Sequence, residues 1–321
     1  MVYQKIQLVI KNNRDEINKL KKVNSLLGIL WAIFTLGVTI LLLGLFSSML
    51  NKNIELFVIL YPLIAIIIAG RQGSFLQIVH EGAHSLIHSN KKFNDLIGNF
   101  VGGFIGVSMD DYRFTHGNHH MNTNTKNDDP NDLEKYSVTN VKNRKLWFLF
   151  LRDIFGISAL IRIKGMFIKK NKSITTQRNN YLTLILCQIL IFLSLSMSVV
   201  DYLLIWIIPL FTANMFLMRI RGIAEHGLPS QLQLSIIKGN NGSLLTRTLN
   251  PDPSNPNIVV KVLELISMGS LSINYHLEHH LIPNVPHYNL KKLHKLMKLY
   301  EIADLRINYQ SGYFSSLWVS R

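Results

Sequence analysis

Hydrophobic positions along this chain gather into four long runs, residues 23–50, 54–70, 181–200 and 202–218, set between segments dense in Lys, Asn and His. A helix of roughly 20 apolar residues crosses about 30 Å of hydrocarbon, and each run is of that order. Only Asn51, Lys52 and Asn53 part the first pair, and only Asp201 parts the second, so the pattern predicts two helical hairpins. Two further apolar stretches, 93–109 and 146–161, read differently. The first is rich in glycine (Gly98, Gly102, Gly103, Gly106), and the second carries Arg152 and Asp153 at its centre, which is costly at mid-bilayer. Both are expected to lie at the membrane interface or to re-enter it. Residues 250–257 are dense in proline and predict an extended loop.

The expected organisation is therefore a polar N-terminal segment (1–22), a membrane domain (23–294) and a C-terminal tail (295–321). The opening 22 residues are charged instead of having a short basic stretch before an apolar core, so they do not read as a cleaved signal peptide.

Charge changes the picture in one respect. A formal net charge of +15 would by itself suggest nucleic acid. Here the charge is excluded from the apolar runs, as a bilayer requires, so nucleic acid gives way to the membrane face. Of the 34 Lys and Arg residues, only Lys52 falls on the side of the short turns. By the positive-inside rule the other side is cytoplasmic, with both termini, in an inner or plasma membrane if the source is bacterial. The basic run 162–178, including Lys164, Lys169, Lys170 and Lys172, is expected to touch anionic headgroups or an acidic electron carrier.

Cys187, the single cysteine, lies in an apolar run, so no disulfide framework or cysteine metal site can be built. Any metal must be held by nitrogen or oxygen. The twelve histidines supply that chemistry unevenly. His80 and His84 are spaced i, i+4; His116, His119 and His120, and again His276, His279 and His280, are spaced i, i+3, i+4. On a helix such residues share a face within one turn. All three clusters fall on the predicted cytoplasmic side, and His226, at the inner end of the fourth run, stands level with them as a ninth candidate. His88 extends the first stripe by a turn, and His287 and His294 fall in a polar region; these three are expected to be ordinary histidines. Imidazole suits zinc, copper, nickel and iron, and nine exceed one coordination sphere, so two metals sharing a cage is the economical account.

These boxes, H-x3-H and twice H-x2-H-H, resemble those of the membrane fatty acid desaturase and hydroxylase superfamily. The stretch 274–287, Asn-Tyr-His-Leu-Glu-His-His-Leu-Ile-Pro-Asn-Val-Pro-His, with Leu290 and His294 beyond it, is similar to that family's third box; Thr123-Asn124 through Asp129-Pro130 is similar to the segment after its second. The resemblance implies an all-α integral membrane protein with four transmembrane helices in two hairpins beneath a cytosolic helical cap. It implies a di-iron centre held by His80, His84, His116, His119, His120, His226, His276, His279 and His280, with Glu225, Asn274 and Asp129 as groups that hydrogen-bond the ligating rings. It further implies O2 as co-substrate, a lipid or acyl substrate and a desaturase or hydroxylase reaction. The chain carries no His-Pro-Gly-Gly haem motif, so electrons are expected from a separate ferredoxin, rubredoxin or cytochrome b5 type protein.

Two other readings compete. His80-Glu81-x-x-His84 matches the zinc protease pattern H-E-x-x-H, which would leave two boxes without a task. A metal carrier would place ionisable ligands at the bilayer midplane, where these runs have none.

Overall fold

The computed structural model describes residues 2–123, 143–168, 174–195, 198–226, 246–249, 258–268 and 272–319. The segments after box two and after His226, with Asp129, and the 250–257 loop lie outside the described residues. So do Lys169, Lys170 and Lys172 of the basic run.

After two short helices, α1 (Val2–Asn12) and α2 (Arg14–Leu20), the first apolar run forms α3 (Ser25–Lys52). Asn24 caps it, its side-chain oxygen accepting from the Leu27 N–H at 3.2 Å. The predicted turn is as tight as the sequence suggested, because Asn53 ends α3 and in the same position caps α4 (Ile54–Ala83), accepting from the Leu56 N–H at 3.0 Å. Leu26, Leu30, Ile33, Phe34, Leu41 and Leu45 of α3 all remain exposed. An apolar surface of that extent is one that lipid covers.

Among the described residues, three helices are long and apolar enough to cross a bilayer: α3, α4 and a helix we call α10 (Val199–His226). The third apolar run differs from expectation. It forms α9 (Ile174–Ser194), with a shorter apolar stretch at Tyr181–Ser194, and the helical path stops there instead of continuing to residue 200. Asp201, expected as the tip of a turn, is buried. Its carboxylate accepts from Ser198 Oγ at 2.7 Å, from Asn51 Nδ2 at 3.1 Å and from the Ser47 hydroxyl. The two hairpin turns are thereby tied together at one end of the bundle.

α10 begins with a π-helical stretch, Tyr202–Ile207, followed by Pro209. Proline has no N–H to offer the carbonyl five residues back, Leu204. Tyr61 of α4 fills that place, its hydroxyl donating to Leu204 O at 2.8 Å, and Gln72 donates to Trp206 O at 2.9 Å. The two hairpins are thus locked by side chains that repair a broken helical ladder.

Neither doubtful stretch forms a single long helix. The glycine-rich one becomes α5 (Lys91–Phe104) and a turn at Gly106, and its glycines serve close packing. A Cβ on Gly103 would stand 2.7 Å from Cys187 Sγ, so α5 meets α9 at the glycine. The second becomes α7 (Asn143–Ile154) and α8 (Ile157–Ile168), broken at Gly156 with φ +74°. Helices of 12 residues reach about 18 Å, well short of hydrocarbon thickness. Asp153 at the break is fully buried because Arg219 of α10 donates to both its oxygens.

At the end opposite the hairpin turns lie α6 (Met109–Met121), α11 (Ile258–Ser267), α12 (His276–Leu281), α13 (His287–Met297) and α14 (Tyr313–Val319). Two-residue strands β1 (Thr248–Leu249) and β2 (Tyr309–Gln310) pair in parallel, and Thr248 also bridges Tyr275 beside box three. The N-terminal helices are part of this end: Ile6 and Ile17 are buried with Leu290, Leu293, Met297 and Leu305.

Candidate metal centre

α4 has 30 residues and a length of about 45 Å, so its last turns project beyond the hydrocarbon it can cross. His80 lies in that projection and His84 caps it. α6 is started by Ser108, whose hydroxyl accepts from the Asp111 N–H, and carries His116, His119 and His120 in its last two turns. α12 is little more than the box His276–His280 itself, held in place by β1.

The structure brings all nine candidate histidines together and divides them. His80, His84, His116, His120 and His279 form one group; His119, His226, His276 and His280 form another. In each, the candidate ligand atoms lie within 4.8 Å of one another. The division follows from helix geometry. Neighbouring helical residues point about 100° apart, so one H-x2-H-H box faces two directions at once. Box two sends His116 and His120 to the first group and His119 to the second. Box three does the reverse, sending His276 and His280 to the second group and His279 to the first. Box one and His226 complete the two sets.

Within the groups the Nε2 atoms converge: His84 and His116 are 2.9 Å apart, His116 and His120 3.0 Å, His120 and His279 3.1 Å. In the second group His226 and His276 are 2.8 Å apart and His276 and His280 3.1 Å. The groups adjoin where the rings of His120 and His280 stack at 4.2 Å. Burial, helped by neighbouring imidazoles, pushes His116, His276, His279 and His280 well below their usual range; burial lowers His84 to about 4 and His120 to about 2. These rings are held neutral, the state in which imidazole binds metal.

Two metal ions fit this donor set. Both ring nitrogens of His80 are buried without a hydrogen-bond partner, as are Nδ1 of His226, His276 and His279. A metal at the converging Nε2 atoms would bind the partnerless Nε2 of His80, a buried nitrogen costly to leave unsatisfied; the Nδ1 atoms lie on the far edges of their rings.

Around the histidines the structure bears on the expected supporting groups unevenly. Glu225 is buried beside the second group, with Oε2 3.8 Å from His276 Nε2, while Arg221 and the Tyr313 hydroxyl hold Oε1 at 2.7 and 3.2 Å. Asn274 contributes its backbone carbonyl to the Leu249 N–H at 2.7 Å. Thr123, noted in sequence only for its resemblance, places its hydroxyl 3.3 Å from His280 Nδ1. Tyr112, not singled out from sequence, stacks on His116 with centroids 5.2 Å apart.

The three set-aside histidines separate. His88 is not on the box-one stripe, because α4 ends at Ala83 and Ser85 takes a positive φ of 62°; its Nδ1 accepts from the Asn90 N–H. His287 and His294 were read as lying in a polar region, and both are buried against carboxylates inside the boxes, Glu81 and Glu278. The signal for them was present as i, i+7 spacing after Pro286, which puts both on one helical face.

Among curated proteins, none matches the chain. A family model does: residues 56–311 match that of the fatty acid desaturases, a span that contains all three boxes and His226, and the chain belongs to that family.

Proposed function

We propose that the protein is an O2-dependent di-iron desaturase of fatty acyl chains or a related lipid. The observation that carries this reading is the pair of adjoining all-imidazole groups, five and four strong, sharing two H-x2-H-H helices. His80, His84, His116, His120 and His279 hold one iron; His119, His226, His276 and His280 hold the other. Iron bound in this way supplies the activation of O2 needed to oxidise an unactivated C–H bond, with two electrons from a separate ferredoxin, rubredoxin or cytochrome b5 type carrier.

The chain's own residues prepare that chemistry. Thr123 fixes the orientation of the His280 ring, and Arg221 and Tyr313 hold Glu225 beside the Nε2 edge of His276. Near-complete burial of His119 and His279 excludes bulk water. Hydroxylation would use the same residues and differ in how the substrate carbon is placed.

The reading includes four membrane crossings, α9 being the fourth, with the histidines and both termini on the cytoplasmic side. A zinc protease would use Glu81 as base, but Oε2 of Glu81 is engaged by the backbone N–H and ring of His287. Comparing the lipids of a host with and without the gene tests the proposal. A gain or loss of one double bond position is expected; unchanged unsaturation together with unchanged hydroxylation overturns it.

A further inference from the structure

α13 presents His287 and His294, seven residues apart and so about 10 Å along one face, towards the boxes. Lys291, Lys292 and Lys295 occupy its exposed face. The backbone N and Nδ1 of His287 both stand 3.0 Å from Glu81 Oε2. Glu81 lies between His80 and His84, and its other oxygen is 4.0 Å from His80 Nδ1. His294 Nδ1 stands 2.7 Å from Glu278 Oε1, an oxygen that also accepts from the Tyr309 hydroxyl at 3.2 Å, while the Thr248 hydroxyl donates to Oε2. Glu278 lies between His276 and His279. Each box therefore sends one buried carboxylate away from the imidazoles and into the same helix. Buried carboxylates hold their place through such partners.

We infer that α13 is a splint, and that His287 and His294 are positioning residues that hold box one against box three through Glu81 and Glu278. The splint rests on the two-metal reading of the histidines. Glu81 and His287 are 206 residues apart in sequence, so the register of the two boxes is a tertiary property, and metal–ligand distances tolerate only about 0.2 Å. Loss of the His287 ring leaves Glu81 the backbone N–H of that residue but loosens the last turn of α4, and with it ligands of the five-histidine group alone. Loss of the His294 contact frees α12, which serves both groups.

The test loads the full chain with Fe(II) in detergent and follows iron release to ferrozine. His294→Ala is expected to release both irons faster than the parent, roughly tenfold, the lower end of effects seen when groups behind metal ligands are removed. His287→Ala is expected to give two phases, one fast and one like the parent. His287→Asn and His294→Asn keep an N–H where Nδ1 stands and are expected to restore slow release. Thermal unfolding of the metal-free proteins reports folding separately. Alanine variants that release iron like the parent overturn the splint. So do asparagine variants that unfold like the parent yet release iron as fast as the alanine ones. A parent that binds no iron pair removes the two-metal reading and the splint with it.

Discussion

His226 Nε2 stands 2.8 Å from His276 Nε2, so the C-terminal end of a helix long enough to span a membrane touches box three across 50 residues of sequence. His226→Ala leaves the second group three imidazoles. Purified His226→Ala protein is expected to carry close to one iron where the parent carries two, with activity lost. His88→Ala, whose ring meets the Asn90 N–H and the Phe93 ring away from both groups, is expected to keep both. Elemental analysis decides; equal iron in parent and His226→Ala protein removes His226 from the ligand set.

Protein from iron-replete cells is expected to contain two irons per chain and little zinc, because two groups of four and five nitrogens converge separately. One zinc per chain with activity retained argues for a different enzyme.

The two hairpin turns meet at Asp201 and Asn51, opposite the histidines. A cysteine at Lys52 is expected to react with an impermeant reagent from outside intact cells, and one at Lys92 only after permeabilisation. Labelling of Lys92→Cys from outside reverses the orientation.

Asp153 and Arg219 are both buried, and removing Arg219 leaves the Asp153 carboxylate without its cation. Arg219→Met is expected to cost about 3–5 kcal/mol, whereas Asp153→Leu combined with Arg219→Met recovers most of the loss. Chemical denaturation in detergent measures both; a double variant no better than the single one removes the pair as the cause.

How much of this was legible in sequence depended on whether a feature is local. The α3–α4 turn, the boxes and the shared facing of the i, i+4 pairs His116–His120 and His276–His280 follow from helix periodicity, and the structure has them; the i+3 histidines, expected on the same face, turn to the other group. Division of each H-x2-H-H box between two groups is also local geometry, but which imidazole meets which depends on how α6 and α12 approach. Roles of Glu81, Glu278, His287 and His294 were hidden because their partners lie up to 206 residues away. The third apolar run looked continuous on hydropathy, which is blind to the helix ending at Ser194 and to Asp201 turning inward among Ser47, Asn51 and Ser198.

Acid is expected to destabilise the metal-free protein. His84 and His120 are lowered by burial to about 4 and about 2, while an unfolded chain protonates its histidines near 6.5. Below 6.5 the unfolded state therefore binds more protons than the folded one, so stability falls as pH drops from about 6.5 towards 4. The melting temperature of apo-protein should decline across that window; a flat profile means the rings are protonated within the fold.

The length of α4 sets a condition on the lipid that reaches these histidines. His80 stands near the end of a 30-residue helix, about 40 Å from its start, so in a bilayer entered at Ile54 and crossed squarely the histidines would lie about 10 Å past about 30 Å of hydrocarbon. On the proposed reaction, an acyl chain oxidised there would be drawn out of the bilayer's oil and resolvated by protein along that part of its length. Each methylene lifted into water would cost about 0.8 kcal/mol, a penalty that grows with the depth of the oxidised carbon along the chain and that only an apolar lining can remove. On the proposed reaction, chain length and the carbon oxidised would follow how much hydrocarbon the protein can shelter above the membrane, a measure of volume more than of headgroup chemistry.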